Sequence, residues 1–231
     1  MLYAVRTARI RPNLKGEWSG PAWEQADTLE IANFRPESSE HHPKTHARLL
    51  YTKDGLFGIF RVEDRYVRCL GSHYMDPVYK DSCVEFFVQP RRGKGYFNFE
   101  FNCGGSLFCF YIVDPTRVSG GWKDATPLPE VDGQRVAVFH SMPEIVEPEI
   151  SAPTEWVLEF FIPLDLLEKY VGPIGEVQRQ EWQANFYKCA DGTSHPHWAS
   201  WSPVAEFDFH LPRCFGTIRF ENEGQACPER K

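Results

Sequence analysis

Between Tyr96 and Asn102 every second residue is a phenylalanine: Phe97, Phe99 and Phe101 alternate with Tyr96, Asn98, Glu100 and Asn102. The two-residue period of a β-strand puts the three rings on one face and the phenol, amides and carboxylate on the other. From Ala47 to Glu63 two apolar runs flank Lys53-Asp54-Gly55, which predicts a hairpin. Further strands are expected over Cys83–Gln89, Tyr96–Cys103, Leu107–Val113, Arg135–His140, Glu155–Ile162, Glu181–Lys188 and Phe215–Phe220. Turns between them carry Pro or Gly, as at Gln89-Pro90, Gly104-Gly105, Asp114-Pro115 and Asp191-Gly192. One helix is expected, Leu164 to Tyr170, with Leu164, Leu166 and Leu167 toward the core and a stop at Gly172-Pro173.

Short strands at this spacing, with a single short helix, point to an all-β fold, an antiparallel β-sandwich rather than βαβ units. The chain of 231 residues is read as one domain, with residues 221–231 a polar tail. The connections near 64–82, 114–133, 141–154 and 189–214 exceed hairpin length, and long loops on a rigid sandwich are where binding residues usually sit.

Aromatic residues make up 15% of the chain, enough for both a core and a stacking surface. A net charge of −7 argues against a nucleic-acid surface, and the one basic cluster, Arg91-Arg92-Gly93-Lys94, reads as a solvated hairpin tip. No apolar stretch approaches the ~20 residues that span a bilayer, so no membrane partner is expected. The N-terminus, Met1-Leu-Tyr-Ala-Val-Arg, shows no secretion signal. The seven cysteines, Cys69, Cys83, Cys103, Cys109, Cys189, Cys214 and Cys227, lack zinc-ribbon or disulfide spacing, which favours a reducing, cytoplasmic setting.

Asp81 to Glu85, Glu155 to Leu164, Trp182 to Tyr187 and Trp198 to Pro203, taken in order, together resemble the family 9 carbohydrate-binding modules, within the wider DOMON-like β-sandwich group. Asp81-Ser82-Cys83-Val84-Glu85 is similar to that family's Asp-Ser-Val-Glu strand, and Glu155 to Leu164 is similar to its Ile-Pro-Leu strand before a short helix. Trp182 to Tyr187, Trp198 to Pro203, Phe209-His210 and Phe215-Gly216 complete the order. The resemblance implies non-catalytic sugar binding, two aromatic rings clamping a terminal sugar while a carboxylate and amides hold its hydroxyls. The family's glutamate falls on Glu85, its first ring on Tyr79, and its second ring in the Trp198/Trp201 region. The chain departs from the pattern twice: the first ring is a Trp in the family, and an arginine of its next strand falls on Glu100, a charge reversal.

A pyranose presents faces of C–H groups and a rim of hydroxyls, so its site needs flat rings and planar groups that donate and accept. Tyr79, Trp198 and Trp201 are the expected rings, with Trp122 in Gly120-Gly121-Trp122 as a loop reserve; Trp156 and Trp182 alternate with apolar residues and read as core. Glu85, Asn98, Glu100, Asn102 and Asn185 are the expected polar rim, with Lys188 and Gln183 as weaker members. Lys188 shares the face opposite to Gln183 and Asn185 unless a bulge intervenes. The ligand class is a mono- or oligosaccharide, a terminal glucose- or xylose-type unit of a plant-type glycan, which links the chain to polysaccharide breakdown. The alternative is a glycoside hydrolase pairing Glu85 with Glu100 or Glu159, which needs carboxylates ~5 Å or ~6.5–9.5 Å apart. No metal site or cofactor is expected from the histidines: His41, His42, His46, His195 and His197 lie in loops without ligand spacing, and Met75 with His73 cannot clasp a haem. Structural calcium is the one option that the resemblance adds, with the loops around Asp64, Asp76 and Asp114 as its oxygen donors.

Overall fold

The computed structural model describes residues 1–221, so the expected tail lies outside the described residues apart from Glu221. In chain order the strands are β1 (Leu2–Thr7), β2 (Leu29–Glu30), β3 (Asn33–Phe34), β4 (Lys44–Tyr51), β5 (Gly55–Asp64), β6 (Val67–Cys69), β7 (Cys83–Gln89) and β8 (Tyr96–Asn102). They continue as β9 (Leu107–Val118), β10 (Gly121–Pro127), β11 (Ala137–His140), β12 (Val146–Ile150), β13 (Thr154–Pro163), β14 (Glu181–Cys189), β15 (Trp198–Ser200) and β16 (Gly216–Phe220). Helix α2 (Leu164–Val171) sits where the sequence pattern puts it and ends at Gly172, whose φ of +79° suits glycine. Helix α1 (Glu130–Gly133) is a second, one-turn helix absent from the expected pattern, too short to show a 3.6-residue period.

Hydrogen bonds order one sheet β10-β9-β8-β7-β14-β16 and the other β4-β5-β13-β11, and β1 joins them. Leu2 to Val5 pair with Thr217 to Phe220 of β16, and Arg6 and Thr7 pair with Leu50 and Tyr51 of β4, both in parallel. The sandwich is antiparallel except at this seam, and a period of two cannot distinguish the two kinds of pairing. Phe160 of β13 stacks on Phe101 of β8 and Phe86 of β7 with ring centroids 5.4 and 5.7 Å apart, which joins the sheets across the core. These three rings are fully buried, each contributing about 1.5–3 kcal/mol of apolar burial.

The long connections contain strands that their irregular patterns concealed. The stretch 64–82 holds β6, 141–154 holds β12, and 189–214 holds β15. β9 runs through Pro115 into a hairpin with β10, because a register irregularity between the Arg117–Trp122 and Asp114–Asp124 pairs takes up the proline. That ribbon folds over one side of the outer face of β7, β8 and β14. Phe110 and Trp122 pack there with Phe87, Tyr96, Tyr187, Val204, Leu211 and Phe215 as a second apolar cluster. Both faces of β8 are therefore buried, and a cleft remains where ribbon and loops do not meet.

Candidate functional site

The cleft has a volume of about 500 Å³ and lies on the outer face of the β8-β7-β14 sheet. Its floor is a pair of glutamates: Glu85 of β7 and Glu100 of β8 are direct cross-strand partners, both buried. Strand alternation puts them there, since Phe86 and Phe99, the neighbours of each, turn inward to the core. Asn98 Nδ2 donates to Glu100 Oε1 at 2.6 Å, and the Phe110 amide donates to Asn98 Oδ1 at 2.7 Å, so Asn98 orients Glu100 from behind the floor. Cys189 Sγ donates to Glu85 Oε1 at 3.1 Å, while Glu85 Oε2 is buried without any partner.

Rings wall the cleft. Tyr79 and Trp198 line one side, and Trp198 Nε1 donates to Asp191 Oδ1 at 2.6 Å, with Phe207 edge-on to its ring at 4.7 Å. On the ribbon side Trp122 lies under the Arg117 guanidinium, 5.0 Å from the ring centroid, and 4.5 Å from the His210 ring. Arg117 is itself engaged by both oxygens of Asp208 at 2.9 and 3.1 Å. Trp122 Nε1 is a second buried atom without a partner, and both Glu85 and Trp122 are among the residues that line the cleft.

Burial dominates the electrostatics. It raises the Glu85 carboxyl well above the usual carboxylate range, helped by Cys189 and Glu100, and takes Glu100 up to about 8 against the opposing Asn98 hydrogen bond. Burial also takes His210 down to about 3, with the Arg117 charge adding to the effect. Raised carboxyls bind protons more tightly in the folded chain than in the unfolded one. Their stabilisation is complete below the unfolded carboxyl value of about 4.3 and is lost as pH climbs toward 8. The depressed His210 works the other way up to about pH 6.5, so the Glu100 contribution is isolated by difference: relative to wild type, Glu100→Gln is expected to gain unfolding free energy progressively between about pH 4.5 and 8 in urea titrations. A wild-type-minus-variant difference that does not change with pH would mean that Glu100 does not carry this linkage.

Tyr79, Glu85, Glu100 and Trp198 line the cleft together, Asn98 supports them, and Trp122 joins from its loop. Six expected residues lie elsewhere. Asn102 ties loops, donating to Gly71 O and Asp81 Oδ2 and accepting from the Ser106 amide. Asn185 holds Ser202 through its carbonyl oxygen and its amide, and Gln183 reaches Thr217 Oγ1 at 3.2 Å. Lys188 has no exposed side-chain surface and faces the interior, 3.4 Å from Asp64 Oδ2, because β14 pairs with β7 without a bulge. Trp201 is core, 4% exposed and packed on Phe186. Glu159 is absent from the cleft lining and accepts from the Gly16 amide and Trp23 Nε1.

Asp64, Asp76 and Asp114, the acids named for calcium, stand in three separate surroundings. Each is engaged by its own neighbours: Asp64 by Lys188 and His41, Asp76 by the Ser72 and His73 amides, Asp114 by Thr116 and Lys123. None of the three joins a ligand cluster among the described residues. Pattern reading missed Arg117, Asp191, Asp208 and the loop phenylalanines Phe207 and Phe209, which only the folding of long connections brings to the cleft.

The profile of carbohydrate-binding family 9 matches residues 22–220. The chain belongs to carbohydrate-binding family 9. No curated protein matches this family 9 chain. Among solved structures it is similar to a Bacteroides uniformis protein described as a candidate carbohydrate-binding protein, at 25% identity and a TM-score of 0.79, over 95% of this chain and 99% of the other. It also shares the fold of a family 9 module of Caldicellulosiruptor kristjanssonii solved with cellotriose, at 12% identity and a TM-score of 0.65 over the whole of both chains. A family 9 module of the same organism solved with glucose aligns at 10% identity and a TM-score of 0.63, over 97% of this chain and all of the other.

Proposed function

We propose that the cleft binds a glucose- or xylose-type unit at the end of a plant-type glycan, without catalysis, in the service of polysaccharide breakdown. The carrying observation is that two residues lining one ring-walled hollow each bury an atom without a partner, the acceptor Glu85 Oε2 and the donor Trp122 Nε1. A buried polar atom without a partner costs about 1–3 kcal/mol, and a ligand bearing hydroxyls relieves both atoms at once. Tyr79 and Trp198 supply the flat apolar surface for the sugar's C–H faces, while Glu85, Glu100 and Asp191 read its hydroxyls. A volume of about 500 Å³ suits one or two sugar units. Membership of family 9 supports the same reading, as do the cellotriose and glucose held by the Caldicellulosiruptor modules.

Glu85 and Glu100 stand side by side on adjacent strands, an arrangement suited to gripping one rim of a sugar rather than flanking a scissile bond from two sides. Isothermal titration with glucose, xylose and cellotriose is expected to give one-site binding, weakened about tenfold or more in Glu85→Gln through loss of the charge-capable acceptor. Absence of heat with every sugar would overturn the reading. So would turnover of chromogenic glycosides that Glu85→Gln removes.

A further inference from the structure

Cys83 and Cys189 face each other as direct cross-strand partners on β7 and β14, and Glu85 follows two residues along β7 on the same side of the sheet. The two sulfurs and a Glu85 oxygen lie within 4.8 Å of one another, and all three residues are buried. No other group of three His, Cys, Asp or Glu ligand atoms is so close among the described residues. We propose that Cys83, Cys189 and Glu85 form a site for one thiophilic divalent cation, of the zinc class, beneath the rings of the cleft, its fourth position open to the cleft.

A tetrahedral ion with Zn–S bonds of ~2.3 Å holds its donors ~3.8 Å apart, so three atoms within 4.8 Å close on it with shifts of an ångström or less. Cys189 Sγ already stands 3.1 Å from Glu85 Oε1. The unpartnered Glu85 Oε2 is an independent sign that this carboxylate is built to receive something the chain does not itself supply. Cys189 and Glu85 line the cleft, which gives the ion its route in, while Cys83 packs below among Val78, Tyr79 and Trp198.

Burial pushes the Cys83 thiol up to about 12 and Cys189 well above the ordinary thiol range. In the free chain the Cys189 thiol donates to Glu85 Oε1. On binding, each thiol releases its proton to solvent as its metal–sulfur bond forms, Glu85 releases any proton it carries, and no electron is exchanged. Two thiolates, one carboxylate and a divalent cation leave a net charge of −1, and the buried Lys188, whose field favours both thiolates, stands just behind Cys189 with Nζ 3.0 Å from its carbonyl. A disulfide between the same cysteines is the competing fate; in the structure both are free thiols.

The metal site shares Glu85 with the sugar reading but does not rest on sugar being bound. Titrating the full reduced chain with cadmium alone is expected to raise a thiolate-to-cadmium absorption band that saturates at one ion per chain. Zinc should compete the band away, Cys83→Ser/Cys189→Ser should abolish it, and Glu85→Gln should weaken binding by about tenfold or more. A band that survives the double substitution, no band at all, or a Cys83–Cys189 disulfide in the purified chain would overturn the site. Should the serine variants fail to fold, zinc must still raise the melting temperature of the wild-type chain and a chelator reverse it; no shift overturns the proposal. Sugar titration of the metal-free chain separates the two readings. Sugar heat without a cadmium band sinks only the metal site, and a band without sugar heat sinks only the sugar site.

Discussion

Replacing Lys188 with methionine is expected to lower the free energy of unfolding by about 3–5 kcal/mol, the penalty for stranding a buried counter-ion. Lys188 lies on β14 between two buried residues that face the other way, and it has no exposed side-chain surface. Its Nζ is 2.8 Å from His197 Nε2, 3.0 Å from Cys189 O and 3.4 Å from Asp64 Oδ2. Asp64 is equally buried and takes hydrogen bonds from Trp156 Nε1 and the Arg65 amide, with His41 Nε2 2.7 Å from Oδ1. Burial alone would drive the Asp64 carboxyl up; Lys188 first, then His41 and His197, outweigh it and hold the group well below its usual range. Without the ammonium that balance fails and an unpaired carboxylate remains among packed hydrocarbon. The double variant Asp64→Leu/Lys188→Met should recover most of the loss, since an apolar pair of similar volume removes both desolvation penalties. Because the folded carboxyl is depressed, its stabilisation is present above the unfolded value of about 3.9 and lost as pH falls below it. Urea midpoints for wild type, single and double variants at neutral pH and near pH 3 test both statements. A single-variant loss under about 1 kcal/mol would mean that hydrogen bonds alone carry Asp64.

How much of this was legible in the sequence depends on which physical constraint spoke. Alternation placed β5, β7, β8, β13 and β14 and turned Phe97, Phe99 and Phe101 inward, because a period of two records which face is buried. It also placed Glu85 and Glu100 on the outer face, where they form the floor of the cleft. For Lys188 the same rule already pointed inward, and the unbroken β7–β14 register enforces it. The rule fails for Asn102 and Asn185, which share the face of Glu85 yet spend their amides on Gly71, Asp81 and Ser202. A face assignment says nothing about which loop will cover it. Arg117 and Asp208, 91 residues apart, meet only because the β9–β10 ribbon and the segment after β15 fold toward each other. Trp122 was found through its Gly-Gly flank, yet its role as an orphaned donor depends on burial that no local pattern encodes.

Trp198→Ala and Trp201→Ala are expected to fail in opposite ways. Three residues apart in extended chain, the two rings must point to opposite faces, so only one can reach the cleft. Trp198 lines it, half-buried and held by Asp191. Trp201 stacks edge-on to Phe186 in the core and lies on Gly216, where a Cβ would come within 2.5 Å of its ring. Removing the Trp201 ring leaves a cavity at the β14–β16 contact and should cost about 3–5 kcal/mol of stability. Removing Trp198 should leave the melting temperature and circular dichroism nearly unchanged. It should weaken sugar binding about 30-fold, the scale of a lost aromatic anchor worth about 2 kcal/mol. The decisive measurement is melting temperature and sugar affinity on the same two variants. A Trp198→Ala protein that binds as tightly as wild type, or a Trp201→Ala protein that melts normally but no longer binds, would exchange the roles of the two rings and move the site to the opposite face of β15.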